Sequence, residues 1–333
     1  MTDSQTLPTA FVWRRTHSLM GVWMVLFLIF HLLTNSQAAL FVGDDGEGFI
    51  ASVQDIHKLP YLPVIETIFL AIPFAIHMFW GVKYLFTSEP NSWPNNGSKP
   101  ALGEYSRNQA FTWMRLTSWL LLFAILLHVL HMRFLEAPWE AEVGGQRYYM
   151  TRITFDAGLY TLASRLDVDI YDRSRIAELQ PPISNPSHAP ESHFSASELL
   201  FGPPEETYDP SKAALVQEQQ QSKQHGRWVE ALSRKPIVDG EVIAVAKDFG
   251  TATLLMVRNA FKKPWLVTLY AIFVLAACFH AFNGLWTAMI KWGITLTARS
   301  QKLWLVITTV LMILVAFLGL ASVIGTYWIN LRL

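Results

Sequence analysis

Cysteine occurs once, at Cys278, in a chain of 333 residues. A lone thiol excludes an internal disulfide, a CxxC redox pair and an iron–sulfur cluster held by this chain alone. It sits inside an apolar run, where cysteine behaves as a small hydrophobe. Charge is scarce too. Only 16% of residues are charged and the net charge is zero, so there is no basic field to draw nucleic acid. No glycine-rich dinucleotide fingerprint is present. What fills the chain instead is apolar: 52% of it is hydrophobic and the mean hydropathy is positive, too much for an ordinary soluble domain.

The apolar residues gather into five runs, roughly 13–34, 61–87, 111–134, 264–290 and 303–328. Each is near the ~20 residues that a helix needs to cross a bilayer. Pro60 and Pro264 stand just before the second and fourth, where proline is tolerated at a helix start. The expected fold is an all-α membrane protein: helices 1–3 within 1–134, a polar insertion over 135–263, and helices 4–5 within 264–333. Arg14-Arg15 leads into a run long enough to span, which argues against a cleaved leader. Lys83, Lys99, Arg107, Arg115, Lys291, Arg299 and Lys302 fall at the same ends of the runs as Arg14 and Arg15, whereas the 35–60 loop carries Asp44, Asp45, Glu47 and Asp55 against Lys58. Positive loops stay in the cytoplasm, so the N-terminus is expected inside, and the insertion and C-terminus outside. The insertion has a Pro/Ser-rich stretch over 181–190 and a helix-favouring, Gln-rich stretch over about 211–234. Its weak apolar pattern argues against an independent domain. His188, His193 and His225 there lack metal-ligand spacing and read as solvated.

Four of the five runs carry a histidine: His31, His77, His128 and His280. Glycine follows two of them at spacing four, as Gly81 and Gly284, on the same helical face. A nitrogen ligand beside a surface without a side chain suits a planar macrocycle. Counting along the helices sorts the histidines by depth into an outer pair, His31 with His128, and an inner pair, His77 with His280. Two bis-histidine haems stacked across the membrane would use all four, and buried polar groups at such depth are usually functional. His131, three residues from His128, is the rival outer ligand.

Three further features adjoin these sites. Glu66 precedes His77 by eleven residues, near three full turns, and so is expected on its face at the level of the outer pair. A desolvated carboxyl there would favour its neutral form and suit proton exchange with a quinone, although a helix-start glutamate also belongs at an interface. Pro73 leaves a helix carbonyl unserved and is expected to kink the second helix. At the inner level Arg14, Arg15, His17, Ser18 and Arg115 are candidates for haem propionates, a quinone carbonyl or a docked partner, and positive-inside topology accounts for the arginines as well.

The motifs Trp13-Arg-Arg-Thr-His-Ser-Leu-Met-Gly21, Phe27-Leu-Ile-Phe-His31, Pro73-Phe-Ala-Ile-His77-Met-Phe-Trp-Gly81, Met114-Arg-Leu-Thr117 and Phe279-His-Ala-Phe-Asn-Gly-Leu-Trp286, running on to Gln301, resemble the cytochrome b membrane anchor of succinate:quinone oxidoreductases and fumarate reductases, of the single-chain, two-haem type. The resemblance covers the helices, not the insertion. It implies two b haems, the proximal one held by His77 and His280 and the distal one by His31 and His128. It also implies flavoprotein and iron–sulfur partners on the cytoplasmic side of a bacterial membrane, with menaquinone or another quinone as substrate. Cys278 stands where the proton-compensating members of this family carry an acidic residue, so their proton path is not expected here. The rival readings are the cytochrome b subunit of a hydrogenase or formate dehydrogenase, and a haem-free scaffold or transporter.

Overall fold

The computed structural model describes residues 8–40, 46–87, 91–94, 96–97, 100–180 and 210–331. Asp44, Asp45, Lys99, His188, His193 and the 181–190 stretch lie outside them. The protein is mostly helical and forms two compact units, Met1–Ala137 with Phe249–Leu333, and Pro138–Asp248.

Among the described residues, the first unit holds five helices long and apolar enough to cross a membrane: Thr9–Ser36, Leu62–Thr87, Ser106–Leu135, Pro264–Lys291 and Ala298–Asn330. All but the second begin earlier or end later than the hydropathy runs. At the fifth, the Thr297 side chain accepts from Ser300 N at 3.1 Å while Ser300 Oγ accepts from Thr297 N at 3.1 Å, a capping box that starts the helix before the apolar run. The fourth span is the most buried of the five and touches the first, third and fifth. Small residues allow that closeness: a Cβ on Gly319 would lie 2.6 Å from Val274 Cγ1 and 3.1 Å from Leu32 Cδ1, so three spans meet there. Elsewhere large apolar side chains such as Phe79, Leu127 and Ile313 point outward, as hydrocarbon contact requires.

Three spans contain π-helical turns, at Thr67–Ala71, Leu130–Leu135 and Ala321–Gly325, all toward the same end of the bundle. The first has an identifiable cause. Pro73 has no N–H to give the Phe69 carbonyl, and the indole N–H of Trp23 in the first span donates to that oxygen at 2.5 Å. Trp23→Phe keeps the ring against Phe69, whose centre is 5.9 Å away, but orphans the carbonyl. The expected cost is about 1–3 kcal/mol, read as a fall of a few degrees in the melting midpoint of the purified protein; an unchanged midpoint would show that the contact is idle.

Two shorter helices also belong to this unit. Glu47–His57 packs on Phe249–Ala260, and Gln54 Oε1 accepts from Phe249 N at 3.1 Å and Gly250 N at 3.3 Å, serving donors that a helix start leaves open. Residues from Phe249 onward therefore group with the spans.

The second unit is where the structure departs most from expectation. It is a compact body with its own core, and it is not all-α. Four antiparallel strands, β1 (Trp139–Val143), β2 (Gln146–Thr154), β3 (Asp169–Tyr171) and β4 (Glu241–Ala246), form a sheet in the order β1-β2-β4-β3. Gly144 and Gly145, with φ of 62° and 76°, make the two-residue turn between β1 and β2. Every residue of β4 after Glu241 is buried, so the strand shows no alternation. Met150, Ile243 and Val245 pack with Trp139, Tyr171, Ile176 and Leu232, and the last comes from the helix Pro210–Ser233. The Asp172 carboxylate caps the helix Arg173–Leu179 by accepting from Arg175 N and Ser174 Oγ. Those bonds hold its carboxyl below the ordinary range, so the cap persists until pH falls through that lowered value. His225 Nε2 donates to the Leu179 carbonyl at 2.7 Å.

Candidate functional site

The four span histidines come together as two facing pairs. The rings of His77 and His280 have centres 6.3 Å apart and planes at 87°. Those of His31 and His128 are 6.0 Å apart at 79°. Two metal–imidazole bonds of about 2 Å each and two ring radii of roughly 1 Å put coaxial ring centres about 6 Å apart. Each pair is spaced to hold one metal ion between two imidazoles. The pairs occupy different levels: Tyr270, bonded to His128, lies ten residues from His280 on the same helix, about 15 Å along its axis.

At the His77/His280 pair the backbone sets the tautomers. His77 Nδ1 lies 3.1 Å from the His17 carbonyl, and His280 Nδ1 lies 3.2 Å from the Met114 carbonyl. A carbonyl only accepts, so both rings donate from Nδ1 and keep the Nε2 lone pair for a ligand bond, the usual outer-shell arrangement of a metal-bound histidine. His17 also stacks its ring on His77, 4.2 Å away and at 11°. Its Nε2 is buried with no hydrogen-bond partner, a donor or acceptor that a bound polar group would satisfy. Gly81 and Gly284 face this space: a Cβ would lie 3.9 Å from His17 Nε2 at the former and 3.7 Å from Met114 Cε at the latter, ordinary contacts. The tight glycine is one to which sequence reasoning assigned no role. A Cβ on Gly21 would come within 2.9 Å of His77 Cε1. Gly21 follows His17 by four, the same spacing that singled out the other two.

The cations of this end divide by use. Arg115 donates from Nη2 to the Leu85 carbonyl at 2.9 Å and from Nη1 to that of Tyr84 at 3.4 Å, tying the third span to the last turn of the second. Arg15 lies over Phe11 and Trp292. Ser18 is buried. Lys291 sits within electrostatic reach of Arg14 and Arg15, a like-charged cluster beside the neutral rings of His17 and His77 and suited to anionic groups.

At the His31/His128 pair, His128 Nδ1 and His131 Nδ1 each lie 3.2 Å from the hydroxyl oxygen of Tyr270. Of the two, His128 is the ring that faces His31. The side-chain nitrogen of Asn35 lies 3.4 Å from His31 Nδ1 and donates to the His31 carbonyl at 2.8 Å. Glu66 is not the lone desolvated carboxyl that counting placed on His77's face. It accepts from Arg133 Nη2 at 2.8 Å, and both side chains are partly exposed. The reason is geometric: the π turn Thr67–Ala71 lies between Glu66 and His77, and one added residue per turn rotates the two about 100° out of phase. The π turn Leu130–Leu135 likewise re-aims Arg133 relative to His128.

No family model matches the chain, and no solved structure matches it. Among curated proteins it is similar to the succinate dehydrogenase cytochrome b558 subunit of Bacillus subtilis (strain 168), with 21% identity over 316 residues, 94% of this chain and 95% of that protein. Carried through nearly the whole of both sequences and through five apolar spans, the likeness is to the cytochrome b type of succinate dehydrogenase membrane subunit.

Proposed function

We propose that this chain is the di-haem cytochrome b anchor of a succinate dehydrogenase, an integral protein of the bacterial cytoplasmic membrane. It takes electrons from an iron–sulfur partner, itself fed by a flavoprotein, and delivers them to a quinone, menaquinone by family likeness. The observation that carries the reading is the pairing of four span histidines at two levels, with ring centres 6.3 and 6.0 Å apart. When bound, a bis-histidine haem supplies one-electron transfer without an open iron position, which favours electron carriage over oxygen binding. His77 and His280 would hold the inner group, His31 and His128 the outer one.

The remaining roles belong to the chain's own groups. His17, Lys291, Arg14 and Arg15 offer the charge and donors that inner propionates need, on the face where the soluble partners would dock. At the outer level the Glu66–Arg133 pair offers an acid–base group beside a cation, the pairing that a quinone needs as it takes up protons. Dicarboxylate chemistry belongs to the partner.

The test is a dithionite-reduced minus oxidised spectrum with haem quantified per chain. Two low-spin b haems support the reading, and none removes it. Within it, Glu66→Gln is expected to lower succinate–quinone reductase activity about 100-fold while both haems stay. Activity unchanged in that variant would take Glu66 out of the mechanism.

A further inference from the structure

We propose that Tyr270 is the positioning residue that selects His128 over His131 as the ligand facing His31; this rests on the two-haem reading. The phenol ring is held between Phe261, centre to centre 5.3 Å, and Phe273, 6.1 Å, so its hydroxyl has a set place. That oxygen lies 3.2 Å from His128 Nδ1 and 3.2 Å from His131 Nδ1, its two hydrogen-bond partners among the described residues.

A phenol carries one proton. Leaving it unpaired in a half-buried place flanked by Phe261 and Phe273 is unfavourable, so it goes to one of the two rings. The ring that accepts it at Nδ1 must, if neutral, carry its own proton on Nε2, and so has no lone pair there to give a metal. The other ring donates Nδ1–H to the phenol oxygen and keeps Nε2 free. One hydroxyl thus forces two neighbouring histidines into opposite tautomers, and only one of them can ligate through Nε2. The facing geometry assigns that part to His128, whose ring centre is 6.0 Å from that of His31. His131, one helical turn further on, takes the phenol proton and is kept out of the ligand set.

The phenol does two things for the ligand. It fixes the tautomer, and it accepts from the distal N–H, which raises the basicity of the metal-bound nitrogen. Its removal therefore alters one haem and leaves the other alone, because the His77/His280 tautomers rest on the backbone carbonyls of His17 and Met114.

The experiment uses the purified full-length protein with its haems, comparing wild type, Tyr270→Phe and His131→Ala by low-temperature electron paramagnetic resonance and by haem content. In Tyr270→Phe both haems are expected to remain. The low-field signal of one is expected to shift or split as His131 is freed to compete, with the other signal unmoved. In His131→Ala both haems are again expected to remain, with the same signal shifted and unsplit. An outer signal identical to wild type in Tyr270→Phe overturns the proposal, and so does loss of a haem in His131→Ala, which would make His131 the ligand. A wild-type protein with fewer than two haems is a different failure, that of the two-haem reading, and is seen before either variant is made.

Discussion

His280→Ala is expected to halve the haem bound per chain and to stop electron delivery to quinone, with His77→Ala giving the same spectrum. Each imidazole would supply one of the two ligand bonds to the inner haem, and its Nδ1–H is anchored to a carbonyl on another span, Met114 for His280 and His17 for His77. Removing either ring leaves a group held from one side and orphans a backbone acceptor. Loss of a mere outer-shell partner costs about 10–100-fold, so loss of a ligand is expected to exceed that in succinate–quinone reductase activity. The haem that remains should be the one removed by His31→Ala or His128→Ala. The check is pyridine haemochrome quantification together with the reduced spectrum of each variant. If His280→Ala and His31→Ala bleached the same component, the pairing across spans would be wrong.

Gly250→Val is expected to have the largest effect on stability away from the histidines. A Cβ at Gly250 would lie 2.4 Å from the carbonyl oxygen of Ile50, 3.0 Å from its carbon and 3.1 Å from its Cα. These are backbone atoms of the helix Glu47–His57, so no rotamer change can relieve the contact. The two helices must separate, and the bonds from Phe249 N and Gly250 N to Gln54 Oε1 go with them. Overpacking costs about 1–3 kcal/mol and more where backbone must move, which corresponds to a fall of roughly 5–10 °C in melting midpoint. Gly226→Ala is the control: a Cβ there meets nothing within 4 Å, and alanine in a helix is expected to leave the midpoint unchanged or raise it. Equal midpoints for Gly250→Val and wild type would mean that the close approach is not a constraint.

Much of the site could be read from residue order because a membrane helix is a ruler. Its length must match the bilayer, its rise per residue is constant, and a histidine is costly enough in that setting to stand out. Hence the five spans and the grouping of His31 with His128 and His77 with His280 could be written down before any coordinates. The ruler fails where the helix is not α. Glu66 sat on His77's face by counting, but the π turn Thr67–Ala71 turned it toward Arg133, and the cause was a proline whose unserved carbonyl is met by Trp23 in another span. Nothing local to residues 62–77 encodes that indole.

Composition and periodicity by themselves determined that this chain is membrane-embedded, helical in its spans, without the second cysteine that an internal disulfide needs, and furnished with four histidines at two depths. Those are properties of single segments against a bilayer. Which ring of His128 and His131 faces His31, that Tyr270 bridges both, that Arg115 holds carbonyls of the second span, and that Gly21 rather than Gly81 is the tight position were decided only by tertiary structure. So was the sheet of the 138–248 unit, whose strand β4 is buried along almost its whole length and therefore lacks the alternation that marks a strand in sequence. Each of these depends on a partner distant in the chain, and a hydrogen bond or a close approach between distant residues leaves no periodic trace in either of them.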